Sequence, residues 1–104
     1  MTIQLLQSAL DDLERGRRFY SRHGHGVGEY FLDSLFSDID SLLLYAGIHP
    51  KSFGYHRLLS GRFPFAVYYV IEDEVVIVYR ILDLRQNPDS IRDDLKLGDQ
   101  HRQG

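Results

Sequence analysis

Apolar residues recur at helical spacing in the first half of this chain and form near-continuous runs in the second. Ala9, Leu13, Gly16 and Tyr20 stand alternately four and three residues apart, one face of a helix capped by Ser8 and running to about residue 23. Residues 3–7 before it have the makeup of a short strand. On the helix's other side, Asp11 precedes Arg15 and Glu14 precedes Arg18 by four residues, the favourable order for surface pairs, so Arg15, Arg17, Arg18 and Arg22 are expected to form a solvated, internally paired face. Gly24-His25-Gly26 breaks this helix. A second is predicted over about residues 27–46, with Phe31, Leu35, Ile39, Leu42 and Ala46 as its apolar stripe, and Leu32, Phe36 and Leu43 beside them. Gly47 fits a C-terminal cap and Ile48-His49-Pro50 forbids continuation. The short connection predicts an antiparallel helical hairpin whose second helix covers a sheet.

Three strands are expected next, over about residues 55–59, 63–72 and 75–84, with Gly61 in the first connection and Glu72-Asp73-Glu74 in the second. Both long strands are apolar at alternate positions of either parity. One face should pack on the helices and the other should be covered too. Asn87, Pro88 and Asp89 read as N-cap, N1 and N2 of a short helix through residue 95, with Ile91 and Leu95 on one face. Residues 98–104 are expected to form a disordered tail, leaving residues 1–97 as one domain.

Composition narrows the chemistry. A chain of 104 residues with 43% apolar content builds one core, and the absence of cysteine excludes disulfides, thiolate metal sites and a cysteine nucleophile. The amino terminus lacks a basic, then long apolar signal segment, and the longest apolar run is interrupted at Arg80, so a cytoplasmic protein is expected, neither exported nor membrane-spanning. A formal net charge of −3 argues against a general phosphate grip. The five histidines show no metal-ligand spacing, and neither metal nor cofactor is expected. Arg57, Arg62, Arg80 and Arg85 recur along the strands, where a guanidinium is costly to bury unpaired. They should line a groove or meet acids such as Glu72, Asp83 or Asp89, with His56 as the one histidine placed to join a groove.

The helical hairpin followed by Tyr55-His56-Arg57-Leu58-Leu59, the Arg62-Phe63-Pro64-Phe65 strand entry and the run Val75 to Leu82 resembles the RelE/ParE family of bacterial type II toxins. The resemblance implies an α+β fold, with the hairpin packed on a small, mainly antiparallel sheet of three to four strands and a short C-terminal helix. It also implies a cognate antitoxin, laying a helix along the hairpin and covering the sheet. Residues Ile81 to Pro88 resemble the Val-Leu-His-Gly-Arg-Arg-Asp-Pro ending of ParE-like members, but Asp83 stands for the histidine, Leu84 for the glycine and Gln86 for the second arginine. In the RNA-cleaving branch, basic residues of the sheet hold messenger RNA at the ribosome, and Arg57, Arg62 and Arg80 occupy similar positions. The missing histidine and the scarcity of lysine turn the reading toward a ParE-like toxin that blocks DNA gyrase by contact, without catalytic residues. Messenger RNA cleavage and an inactive antitoxin-binding relative are the alternatives. The expected target or antitoxin contacts are His56, Arg57, Arg62, Arg80, Arg85, Leu13 and Tyr20.

Overall fold

A computed structural model describes residues 1–103, with side chains through residue 96. Among the described residues the order is β1 (Thr2–Leu5), α1 (Gln7–Ser21), α2 (Val27–Asp40), α3 (Leu42–Tyr45), β2 (Lys51–Ser52), β3 (Tyr55–Leu59), β4 (Phe65–Glu72), β5 (Val75–Asp83) and α4 (Pro88–Gln103). The sheet runs β1-β5-β4-β3-β2. All its neighbours are antiparallel except β1, which pairs in parallel with β5. The architecture is the expected α+β one with a larger sheet: β2 is too short to show any hydrophobic periodicity.

The two sides of the sheet carry separate cores. Ala9 and Leu13 of α1 and Phe31, Leu35 and Ile39 of α2 meet Phe65, Val67, Tyr69, Val76, Val78 and Ile81 on one side. Both helices of the hairpin therefore cover this face. The other face packs Tyr55, Tyr68, Tyr79 and Leu82 beneath Ile91 and Leu95 of α4. This corrects the expectation that an antitoxin covers it, because the chain supplies that cover itself. Asn87 starts α4 as expected, its Oδ1 accepting the Asp89 N–H at 2.8 Å. The helix runs beyond residue 95, and the tail expected from residue 98 concerns side chains outside the described residues.

Three local departures have physical causes. Ser8 does not cap α1; Leu6 holds that position without a side-chain bond, and the Ser8 hydroxyl donates to the Tyr79 carbonyl at 2.7 Å. Ser41 interrupts the second helix by returning its hydroxyl to the Asp38 carbonyl, and α2 ends there. The Asp73-Glu74 turn takes positive φ at both residues (51° and 64°), the two-residue geometry that matches strand twist, although glycine is absent.

A bulge in β5 places Tyr79 and Arg80 opposite Tyr68 alone. It shifts the alternation, with Val76 and Val78 facing the hairpin before it and Ile81 after it, and Arg80 reaches Asp12 of α1 just past the end of β1. There α1 takes over the strand edge with side chains: Ser8 binds Tyr79 and, one turn later, Asp12 Oδ2 accepts the Ile81 N–H at 2.9 Å.

Candidate functional site

The strand arginines have separate fates. Arg80 donates to Asp12 from Nε and Nη2 at 2.8 and 2.9 Å, with side chains 14% and 2% exposed, and Asp94 of α4 lies 3.8 Å away. Its hydrogen bonds to the Asp12 carboxylate stabilise the charged guanidinium and raise its pKa above the ordinary value. This corrects Arg80 as a candidate catalyst or contact, because both faces of its fork are committed inside the fold. Leu13, 3% exposed, is also corrected from contact to core. Arg57 is half-buried on β3 in one transverse row with Tyr68 and Arg80, and makes no ion pair with a described residue.

Arg62, Arg85 and Tyr20 come together with aromatic residues at the end of the hairpin where α1 turns into α2. Phe63, in the β3–β4 connection, packs between Tyr20 and Tyr30 with ring centroids 4.8 and 5.5 Å away. The Arg62 guanidinium lies 5.6 Å above the Tyr30 ring, and that of Arg85 lies 5.7 Å above Phe19. Arg85 also reaches the Tyr20 hydroxyl at 3.4 Å. Tyr20 stacks at 5.2 Å on buried Phe31, which anchors this exposed surface to the core. Phe19 and Tyr30 remain 39% and 47% exposed. Large aromatic side chains and arginine are the residue types that dominate protein interfaces.

The charge balance of this patch bears on what it can bind. Asp83 accepts from Arg85 Nε at 3.0 Å and Nη2 at 2.7 Å, and from the Arg85 N–H at 2.8 Å. Burial would raise the Asp83 carboxyl, but these side-chain and backbone bonds outweigh it and hold the pKa below the usual carboxylate value. The fork of Arg85 is thus filled by a carboxylate that repels phosphate. His23 borders the patch, its ring tilted against Phe19 at 4.5 Å between centroids and its Nδ1 2.9 Å from the Phe19 carbonyl.

His56 lies elsewhere, in a cluster that sequence reasoning missed. Its ring stacks on Tyr69 at 5.0 Å and its Nδ1 sits 2.7 Å from the His49 carbonyl. The Tyr69 hydroxyl accepts from the Gly47 N–H at 2.9 Å and bonds His49 Nδ1 at 2.5 Å. Burial, then the neighbouring His56, lower the His49 pKa. Burial raises that of Tyr69 against the Gly47 and His49 bonds. Only the pairing of His56 with Tyr69 across β3 and β4 brings these residues together, and that register is invisible in any local pattern. The cluster pins the connection after α3 through the Gly47 and His49 bonds to Tyr69.

No curated protein matches the chain in sequence. Among solved structures, the fold is similar to a chain described as the chromosomal ParDE TA system from P. aeruginosa. That match has a TM-score of 0.74 at 18% identity and covers 82% of this chain and 97% of the other. The family described as the ParE toxin of the type II toxin-antitoxin system, parDE, matches residues 3–88, from β1 to the first residue of α4. With that match spanning most of the chain, and the helical hairpin, sheet and Arg-Phe-Pro-Phe entry in place, the chain belongs to the ParE toxin family of type II toxin-antitoxin systems.

Proposed function

We propose that this toxin inhibits DNA gyrase by direct protein contact and that a cognate antitoxin, encoded beside it, neutralises it. The carrying observation is the arginine–aromatic patch of Arg62, Tyr30, Phe63, Tyr20, Phe19 and Arg85. Its rings offer rigid apolar area, and its guanidinium groups lie over rings or against a carboxylate instead of converging on a common point. Catalysis of RNA cleavage needs cations gathered around one phosphate with a proton-transfer group beside them. Arg80, the strand arginine deepest in the fold, is held by Asp12, which favours contact over cleavage. The net charge of −3 supports the same reading.

The test is DNA supercoiling by purified gyrase, titrated with this chain alone and after preincubation with the neighbouring gene product. Inhibition relieved by that product is the expected result. Unimpaired supercoiling at every dose rejects gyrase as the target, and a growth assay then separates RNA cleavage from an inactive antitoxin-binding relative.

A further inference from the structure

The connection between β3 and β4 closes against the flank of α2 and leaves a cavity of about 270 Å³. From α2 it is lined by Asp33, Ser34, Ser37 and Asp38, and from the connection by Gly61 and Arg62. Positions 33 and 37, and 34 and 38, are one helical turn apart, so two carboxylates and two hydroxyls share this flank. Ser34 is only 8% exposed, and its Oγ has no hydrogen-bond partner among the described residues. The same holds for Asp38 Oδ2 and for Oγ of Ser60, the neighbour of Gly61. Buried polar atoms are almost always paired in native proteins, so the two orphans on cleft-lining residues, Ser34 Oγ and Asp38 Oδ2, mark a place where a hydrogen-bonding ligand fits.

The charges define that ligand. Asp33 and Asp38 form no ion pair with a described residue, and Arg62, the one cation in the lining, lies over the Tyr30 ring at the rim. The cleft therefore carries one net negative charge, and an anion would meet two carboxylates. Among the described residues no group of three metal-ligating side chains occurs. A guanidinium fits instead: a planar fork of donors with no acceptor, matched to an acceptor-only carboxylate and to hydroxyl oxygens able to accept. Tyr30 and Arg62 belong to both the cleft and the arginine–aromatic patch, so a polypeptide covering the patch passes over the cleft mouth.

We propose that this cleft receives an arginine side chain of the neutralising antitoxin, anchored by Asp38 and Ser34. The proposal rests on the antitoxin pairing above, and two measurements keep them separable. In the first, the ¹⁵N-labelled chain is titrated with agmatine, a guanidinium on a carbon stem without a carboxylate. Saturable shifts at the Ser34, Asp38 and Gly61 amides are expected, and Asp38→Asn should abolish them. Ser34→Ala, which removes an orphan hydroxyl without adding bulk, should weaken them and stands in if Asp38→Asn fails to fold. Absence of saturable shifts overturns the site, as does a response of these amides to magnesium chloride and not to agmatine at matched ionic strength. In the second, the neighbouring gene product should bind the Asp38→Asn chain at least about tenfold more weakly, the loss of one charge-assisted contact. Equal affinity for the two chains overturns the antitoxin arginine while leaving the pairing intact. A product that fails to bind the unaltered chain removes the pairing, and the agmatine titration alone then decides the cleft.

Discussion

Asp12 on α1 binds Arg80 on β5 through two hydrogen bonds and, with the same carboxylate, takes the backbone N–H of Ile81. One buried side chain thereby neutralises a cation and finishes a strand edge. Asp12→Ala removes the acceptor of the Ile81 N–H and leaves Arg80 only the more distant Asp94, and should cost about 3 to 5 kcal/mol, the range for breaking a buried pair from one side. Asp12→Asn, which can still accept from Ile81, should cost less. Urea denaturation of these variants and of Asp12→Leu with Arg80→Met would check the pairing. The double variant should recover part of the loss, and simple additivity would rule out the coupling.

Gly16 faces Phe31 so closely that an added Cβ would stand 2.5 Å from two carbons of that ring. Phe31 is fully buried and stacked on Tyr20, so it cannot swing aside. Gly16→Ala should therefore lower stability by about 1 to 3 kcal/mol despite the better helix propensity of alanine. Thermal unfolding followed by circular dichroism would reveal it; an unchanged or raised midpoint would show that the hairpin has room to spread.

Asn87 holds the first turn of α4 and hence the cover over Tyr68 and Tyr79. Removing its side chain by Asn87→Ala should cost about 1 kcal/mol. Amide hydrogen exchange would show faster opening concentrated in α4. Uniform acceleration across β4 and β5 would mean that α4 is not a separable unit.

Because its folded-state pKa is depressed, His49 binds a proton less readily in the native chain than in the unfolded one. Its contribution is complete above the unfolded value of about 6.5 and is lost as pH falls through the lower folded value. Stability should decline as pH falls below about 7. His49→Gln should flatten that decline in urea titrations across the range, and an identical slope in the variant would assign the decline to other groups.

Arg62 and Arg57 make no ion pair with a described residue and offer a comparison between exposed patch and sheet. Arg62→Ala should leave stability within about 0.5 kcal/mol, as surface substitutions do, while raising the dose needed to inhibit supercoiling. Arg57→Ala, on the side of the sheet where Tyr55 and Tyr68 lie beneath α4, should leave that dose unchanged. The reverse ranking would move the target surface from the hairpin end to the sheet.

Much of this fold was legible because it rests on period. The stripe from Phe31 to Leu42, the strand limits of β3 and the Asn87 cap follow from local spacing and hydrogen-bonding chemistry. The double-sided apolar pattern of β4 and β5 correctly required cover on both faces, yet period cannot say what provides it; Ile91 and Leu95 do. Asp12 was missed because its role depends on a partner 68 residues away, and the bulge at Tyr79 and Arg80 is set by a cross-strand register. Of the expected contact residues, Arg62, Arg85 and Tyr20 gather at one end because the Phe63 connection folds against the hairpin. No strand pattern announces that approach.

The parallel pairing of β1 with β5 has a consequence for synthesis. Thr2 meets Val75, and Ser8 and Asp12 find their partners only at Tyr79 and Ile81. Emerging from the ribosome, the first dozen residues wait for the last strand before their bonds can close, an ordering that favours slow, late completion. Until β4 and β5 emerge, Ala9, Leu13, Phe31, Leu35 and Ile39 have no sheet to pack on.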